Sequence, residues 1–170
     1  MFFQFNLYGV ILVIASIISI FLLKYCYDKK EDIIYYYLGL YTLFCFFNFL
    51  FHGLEILTTP FIVKSFFGQS SALGYLFIPP VWFFLVYSIT HERKDLSKNL
   101  KRIILAYPVF MLFLAITNPW IHLYWKSITL STSAYKFGLA YHSTIFYSIL
   151  FHVSVLYSYW IIYNDSICYS

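Results

Sequence analysis

The feature that most constrains this chain is a series of long apolar stretches that carry no charge. The first, Leu7 to Leu23, runs for 17 residues without a charged side chain. At about 1.5 Å per helical residue, this stretch and a few flanking residues are long enough to cross a bilayer core of about 30 Å. Hydrophobic residues make up 62% of the chain and charged residues 11%. Soluble domains average about 45–50% and about 25%. The sequence therefore predicts an integral membrane protein.

The pattern of apolar stretches predicts an all-α fold, a polytopic transmembrane helix bundle of about five spans. It forms one membrane-embedded domain over residues 1–170, with no soluble output domain. The predicted helices cover about 7–23, 33–57, 72–90, 103–117 and 139–163. The fourth is short for a span, so its ends are expected to extend to Leu100 and Asn118. Pro79 and Pro80 should kink the third helix, because proline has no N–H for the helix ladder.

The connections between the predicted helices differ in character. Phe61 to Ser71, with the single basic residue Lys64, is expected to be less regular. Ser127 to Ser131 alternates polar and apolar residues, which indicates a short strand or hairpin over the bundle. The three cysteines, Cys26, Cys45 and Cys168, have no spacing typical of a disulfide framework or zinc site, so structural roles are predicted for them.

The distribution of Lys and Arg predicts the orientation in the membrane. The connections after the first and third helices hold eight of the eleven basic residues, so that side is assigned to the cytoplasm. Five crossings then place the N-terminus outside and the C-terminus inside, in the cell membrane. A net charge of +4 with no extended basic patch argues against nucleic-acid binding.

The residues that are candidates for chemistry are predicted to share one layer near the outer surface. His52 and Glu55 lie three residues apart on one helix face, and Asn48 extends that face by another turn. The sensing candidates in this layer are His52, Glu55, Asn118, His122, Trp125 and His142. Ionisable groups at membrane depth are costly, so they normally face a bundle interior or a water-filled cavity.

A structural role is the alternative for each of these residues. His52 and Glu55 would then form a pair that fixes helix packing, and His142 and His152 would hydrogen-bond neighbouring helices. No histidine spacing argues for a metal, and no cofactor motif or nucleophile–base pair is visible. The prediction is a protein without metal, cofactor or enzymatic activity of its own.

Several short motifs resemble the N-terminal seven-transmembrane region of bacterial sensor histidine kinases, which also precedes diguanylate cyclases. The motifs are Leu73-Gly74-Tyr75, Pro79-Pro80, Tyr87-Ser88-Ile89-Thr90, the basic connection Arg93 to Arg102, Thr117-Asn118-Pro119 with His122 and Trp125, and Leu156-Tyr157-Ser158-Tyr159. Glu55 resembles the family's glutamate near the end of the second helix. One departure is His142-Ser143-Thr144, where the family often has His-Gly-Pro.

The resemblance implies a sensory input module that carries a signal from the outer face to the cytoplasm. Its implied partners are the lipid bilayer, a small-molecule or lipid-borne ligand, and a second copy of the chain. The family has seven helices and an output domain, so a five-helix chain is expected to be a fragment of a longer reading frame or the product of a shortened gene. The alternative is a small membrane protein with no signalling role, such as a transporter subunit or assembly partner. A membrane enzyme is a third reading.

Overall fold

The computed structural model describes residues 2–91, 94–121, 125–130 and 139–143, with side chains at 2–91 and 94–117. The elements are α1 (Leu7–Asp28), α2 (Ile33–Leu57), α3 (Phe61–Ser70), α4 (Ala72–Thr90), α5 (Lys98–Ile121), β1 (Trp125–Leu130) and β2 (Leu139–Ser143). In the described part of the chain, α1, α2, the stretch Phe61–Thr90 and Lys98–Thr117 are long and apolar enough to cross a membrane. The predicted transmembrane helix bundle is confirmed.

Helix α2 lies at the centre of the bundle. It packs against α1 on one side and α4 on another, while α3 packs against α2 and α5 packs against α4.

The positions at which α1 and α2 begin are determined by the capping residue just before each helix. The Asn6 side chain accepts a hydrogen bond from Tyr8 N at 2.9 Å, and the Asp32 side chain accepts one from Ile34 N at 3.0 Å. Each cap satisfies backbone N–H groups that have no partner within the helix.

Glycine allows α1 and α2 to approach closely. A Cβ atom on Gly53 would lie 3.0 Å from Val13 Cγ2 and 3.1 Å from Gly9 O. A Cβ atom on Gly9 would lie 2.9 Å from Leu57 Cγ. Membrane helices associate through close van der Waals packing, because lipid offers no hydrophobic gain for helix–helix contact. The glycines therefore fix the separation of these two helices.

Two separate core clusters hold α4 and α5 together. The first cluster consists of Ala72, Met111, Leu114 and Ala115, with Tyr75, Leu76 and Tyr107 against it. The second consists of Tyr37, Phe84, Leu85 and Leu96, and partly buried residues that include Leu100 and Ile104 pack against it. We call the two ends of the bundle the Glu55 end, where α2 stops and α4 starts, and the Asp95 end, where α2 starts and α4 stops.

The structure corrects the predicted helix boundaries in three places. Helix α1 continues to Asp28, past the predicted end at Leu23, and α5 covers Lys98–Ile121 instead of 103–117. The stretch expected to be irregular contains α3. Pro60 occupies its N-cap position, where a missing N–H breaks no helix hydrogen bond. Helices α2 and α4 begin and end at the residues expected from the sequence.

The predicted fifth helix is wrong over its first five residues. Leu139–Ser143 forms β2, which pairs antiparallel with β1, for example Thr129 with Ala140. Residues 144–163 of that prediction lie outside the described residues. A short apolar run is compatible with either a helix or a strand, and here the pairing partner decides between them. The hairpin expected near residues 127–131 is present, with β1 as its first strand.

Candidate functional site

The Glu55 end is built around the last turn of α2, whose four terminal carbonyls have no partner within the helix. Residues distant in sequence satisfy two of them. The Gln4 side chain donates to Ile56 O at 2.8 Å, and Gln4 N donates to Leu57 O at 2.8 Å. Thr58 N and Thr58 Oγ1 both donate to Leu54 O at 3.0 Å. The segment before α1 is thereby fixed beside the end of α2.

Lys64 of α3 reaches the remaining carbonyl, Glu55 O, which also accepts a longer bond from Thr58 Oγ1 at 3.3 Å. Its Nζ donates to Glu55 O at 2.7 Å, and the residue is only 2% exposed. A cation at the C-terminus of a helix also interacts favourably with the helix dipole. The Lys64 ammonium and the Glu55 carboxylate attract each other as charges. One buried lysine therefore joins α3 to both the backbone and the charge of α2.

The predicted pairing of His52 and Glu55 is present in this structure. His52 Nδ1 lies 2.9 Å from Glu55 Oε2. The two side chains differ in access, since His52 is 42% exposed and Glu55 is 3% exposed. The ring of Tyr8 in α1 meets the His52 ring edge-on, at 6.3 Å between centroids. A half-exposed imidazole therefore connects the surface to a buried carboxylate.

Further along the same face, α2 packs against α4 and leaves no open space at Gly74. A Cβ atom on Gly74 would lie 2.7 Å from both the Cα and the N of Asn48, and closer still to its Cβ. The Tyr41 ring packs against Trp82, at 5.4 Å between centroids. Asn48 and Tyr41 therefore lie at a helix–helix interface, whereas His52 reaches the surface.

The other sequence candidates lie in the last described elements. Asn118 belongs to α5, Trp125 begins β1 and His142 belongs to β2, while His122 lies outside the described residues. The strand register pairs Trp125 with Ser143 and Ser127 with His142, so Trp125 and His142 share one end of the hairpin. Strand β2 lies near α3, the helix that carries Lys64.

Sequence reasoning missed the role of Lys64, although the sequence contains a signal for it. Lys64 is the only Lys or Arg between Lys30 and Arg93. A lone cation in such an apolar stretch is costly unless it has a partner. The group of His52, Glu55 and Lys64 brings three ionisable side chains to one end of α2. In the described residues no group of three or more His, Cys, Asp and Glu side chains is arranged to hold a metal ion.

A second polar group lies at the Asp95 end. Tyr37 Oη donates to Asp95 Oδ1 at 2.6 Å, and Lys101 Nζ donates to Asp95 Oδ2 at 2.7 Å. The neighbouring Leu96 is buried in the second core cluster. The connection between α4 and α5 is therefore fixed to the start of α2 by one carboxylate and one apolar side chain.

The contacts of Asp95 predict a weak acid sensitivity. Burial raises the pKa of the Asp95 carboxyl, but the hydrogen bonds from Lys101 and Tyr37 outweigh it and hold the pKa below its ordinary value. A lowered pKa contributes stability above the unfolded value of about 3.9, and this contribution is lost as the pH falls through the folded pKa. Because the side chain is partly exposed, we expect a loss of under about 1 kcal/mol.

Thermal unfolding in detergent from pH 6 down to pH 3 measures this loss. Asp95→Asn should be less stable than the wild type at pH 6, and the difference should shrink towards pH 3. Asp28→Asn, a carboxylate at the other basic connection, serves as the matched control. A constant difference between Asp95→Asn and the wild type over this range would contradict the assignment.

The helices and their apolar outer surfaces define a multi-pass membrane protein. A family model described as the N-terminal 7TM region of histidine kinase matches residues 11–167, and the chain belongs to this family. The resemblance seen in the sequence is thus confirmed. The matched region is a membrane sensory input module of histidine kinases and not their catalytic domain. No curated protein and no solved structure matches the chain.

Proposed function

We propose that this sensory module receives its signal at the Glu55 end and transmits it to the Asp95 end. The observation that carries the proposal is the half-exposed His52 imidazole bonded to the buried Glu55 carboxylate. A ligand or bilayer change that alters this bond acts on a charge that also attracts Lys64 of α3. Such a stimulus shifts the equilibrium between two helix arrangements only if it stabilises one arrangement more than the other.

Substitution of His52 tests the proposal directly. His52→Ala removes the exposed member of the pair and leaves the buried Glu55 and Lys64 in place, so the response to the stimulus should fall while the protein still reaches the membrane. The measurement is autophosphorylation of a histidine kinase to which this region is fused as the input. Glu55→Gln and His122→Ala, made in parallel, should also change the response.

His91→Ala is the matched control, because His91 stacks on Tyr87 at the Asp95 end of α4, far from the proposed input. Its response should stay close to that of the wild type. An unchanged response in His52→Ala and Glu55→Gln, at normal membrane abundance, would rule out this site as the input.

The proposed direction of signalling is from the outside to the cytoplasm across the cell membrane. The hydrogen bond between Tyr37 and Asp95 supports it, because it joins the second basic connection to the first turns of α2, which follow the first basic connection. Positive residues favour the cytoplasmic side. In intact cells, a membrane-impermeant maleimide should label a cysteine introduced at Ile62 but not one introduced at Glu31. The reverse labelling would invert the proposed orientation.

A further inference from the structure

Helices α4 and α5 both contain proline, and the prolines lie at the same level of the bundle. Pro79 and Pro80 lie inside α4, and Pro108 is buried inside α5. The two helices are antiparallel. Along α4, Pro79 and Pro80 lie between Leu76, which packs against the first core cluster, and Phe83, which packs against the second. Along α5, Pro108 lies within one turn of the same boundary, since Tyr107 packs against the first cluster and Leu105 against the second. The three prolines therefore form one layer, which we call the proline layer.

This layer weakens both helices at one place. A proline has no N–H to donate to the carbonyl four residues earlier. Two ladder bonds are therefore missing in α4 and one in α5 at Pro108, while Pro119 removes another near the far end of α5. Sharp helix bends occur mainly at such positions. Helix α2, against which α4 packs, has no proline between Ile33 and Leu57. The bundle thus combines one continuous helix with two helices that are weakened at a shared depth.

The two sides of the proline layer are attached to α2 by different kinds of contact. At the Glu55 end, Gly74 lies against the backbone of Asn48, so this part of α4 cannot move without separating whole helices. At the Asp95 end, a polar link runs from Tyr37 to Asp95 and Lys101, and the Tyr37 ring packs against the side chain of Phe84. A rigid backbone contact on one side and a link through side chains on the other favour movement on the Asp95 side.

We propose that the proline layer is a hinge, about which the Asp95 halves of α4 and α5 swing together relative to α2. The Tyr37–Asp95–Lys101 group holds the arrangement seen here, and breaking it releases the swing. In the part of the chain with described side chains, Ser88 Oγ is the one buried side-chain oxygen or nitrogen without a hydrogen-bond partner, and it lies on the moving half of α4. An unmade buried hydrogen bond is a cost that a second packing arrangement can remove.

The hinge is a property of the helices, so it can be measured without the stimulus and stands apart from the assignment of the input site. The test uses pairs of spin labels and double electron–electron resonance on the full chain in nanodiscs. Cys26, Cys45 and Cys168 are first replaced by alanine. One label pair, at Glu31 and Arg102, reports on the Asp95 end, and a second pair, at Ile62 and Ile116, reports on the Glu55 end. All four labelled positions are exposed.

Asp95→Asn should shift or broaden the distribution of label–label distances at the Asp95 end and leave the distribution at the Glu55 end unchanged. The lever from Pro108 to the start of α5 is roughly 15 Å long. A bend of about 20° over that length gives a shift of about 5 Å. Adding Pro79→Ala, Pro80→Ala and Pro108→Ala should abolish the shift, because the completed ladders resist bending. Pro108→Ala alone should reduce it, and this single variant replaces the triple variant if the latter does not fold.

Three results would each overturn the hinge. The first is an unchanged distance at the Asp95 end in Asp95→Asn. The second is an equal shift of both label pairs, which indicates rigid-body motion or partial unfolding. The third is a shift that persists in full in the folded proline variants.

Discussion

Replacing Gly74 with alanine should destabilise the bundle more than any other single-methyl insertion among the described glycines. The added Cβ atom would lie 2.7 Å from the Cα and N of Asn48, both of which are backbone atoms of α2. Backbone cannot rotate away as a side chain can, so α2 and α4 must separate. Overpacking of this kind costs about 1–3 kcal/mol, and we expect about 2 kcal/mol or more here. Thermal unfolding of the purified protein in detergent measures the loss.

Gly39→Ala is the matched control for this experiment. Gly39 is buried in α2, as Gly74 is buried in α4. The Cβ atom added at Gly39 would meet only Cys26 Cβ, at 3.3 Å. A displacement of a few tenths of an ångström relieves that contact, so the loss should stay under about 1 kcal/mol. Equal stability of Gly74→Ala and the wild type would mean that α2 and α4 are further apart than described here.

Replacing Lys64 with methionine should have the second large effect. Methionine keeps much of the side-chain volume, but it cannot donate to Glu55 O and carries no charge to balance the buried Glu55 carboxylate. Removing one partner of a buried charged pair typically costs about 3–5 kcal/mol. We therefore expect a loss of about 3 kcal/mol in thermal unfolding, together with reduced accumulation in the membrane.

A double variant distinguishes the charge from the hydrogen bond. Adding Glu55→Gln to Lys64→Met removes the unbalanced carboxylate, so part of the lost stability should return. The part that remains lost measures the missing hydrogen bond from Lys64 to Glu55 O, which then keeps only the longer bond from Thr58 Oγ1. Lys98→Met, at an exposed position, should change stability by less than about 0.5 kcal/mol. A Lys64→Met variant as stable as Lys98→Met would refute the proposed role of this lysine.

The local patterns in the sequence were enough to predict most of the helices and the contact between two side chains. Uncharged apolar length predicts α1, α2, α4 and α5, because a membrane span must satisfy its own backbone hydrogen bonds. The three-residue spacing of His52 and Glu55 predicts their contact, because a helix places such residues on one face. Both inferences depend only on neighbours in the sequence.

The predictions that failed depended on distant partners. Leu139–Ser143 is a strand because β1 pairs with it, and that pairing is not visible in the local periodicity. Lys64 was placed in an irregular connection, whereas its buried ammonium caps α2. Gln4 caps the same helix from the start of the chain. The sequence pattern alone does not indicate which donor reaches which carbonyl.

The sequence by itself determined that this chain crosses a membrane, where four of its helices lie and that it resembles the membrane region of histidine kinases. Hydrophobic length and helical periodicity encode those properties residue by residue. Only the tertiary structure decided that Lys64 joins the His52–Glu55 pair, that Asp95 connects α5 to α2, and that Pro108 lies level with Pro79 and Pro80. These relations depend on the axial position of each helix relative to its neighbour. Close packing at contacts such as Gly74 against Asn48 sets that position.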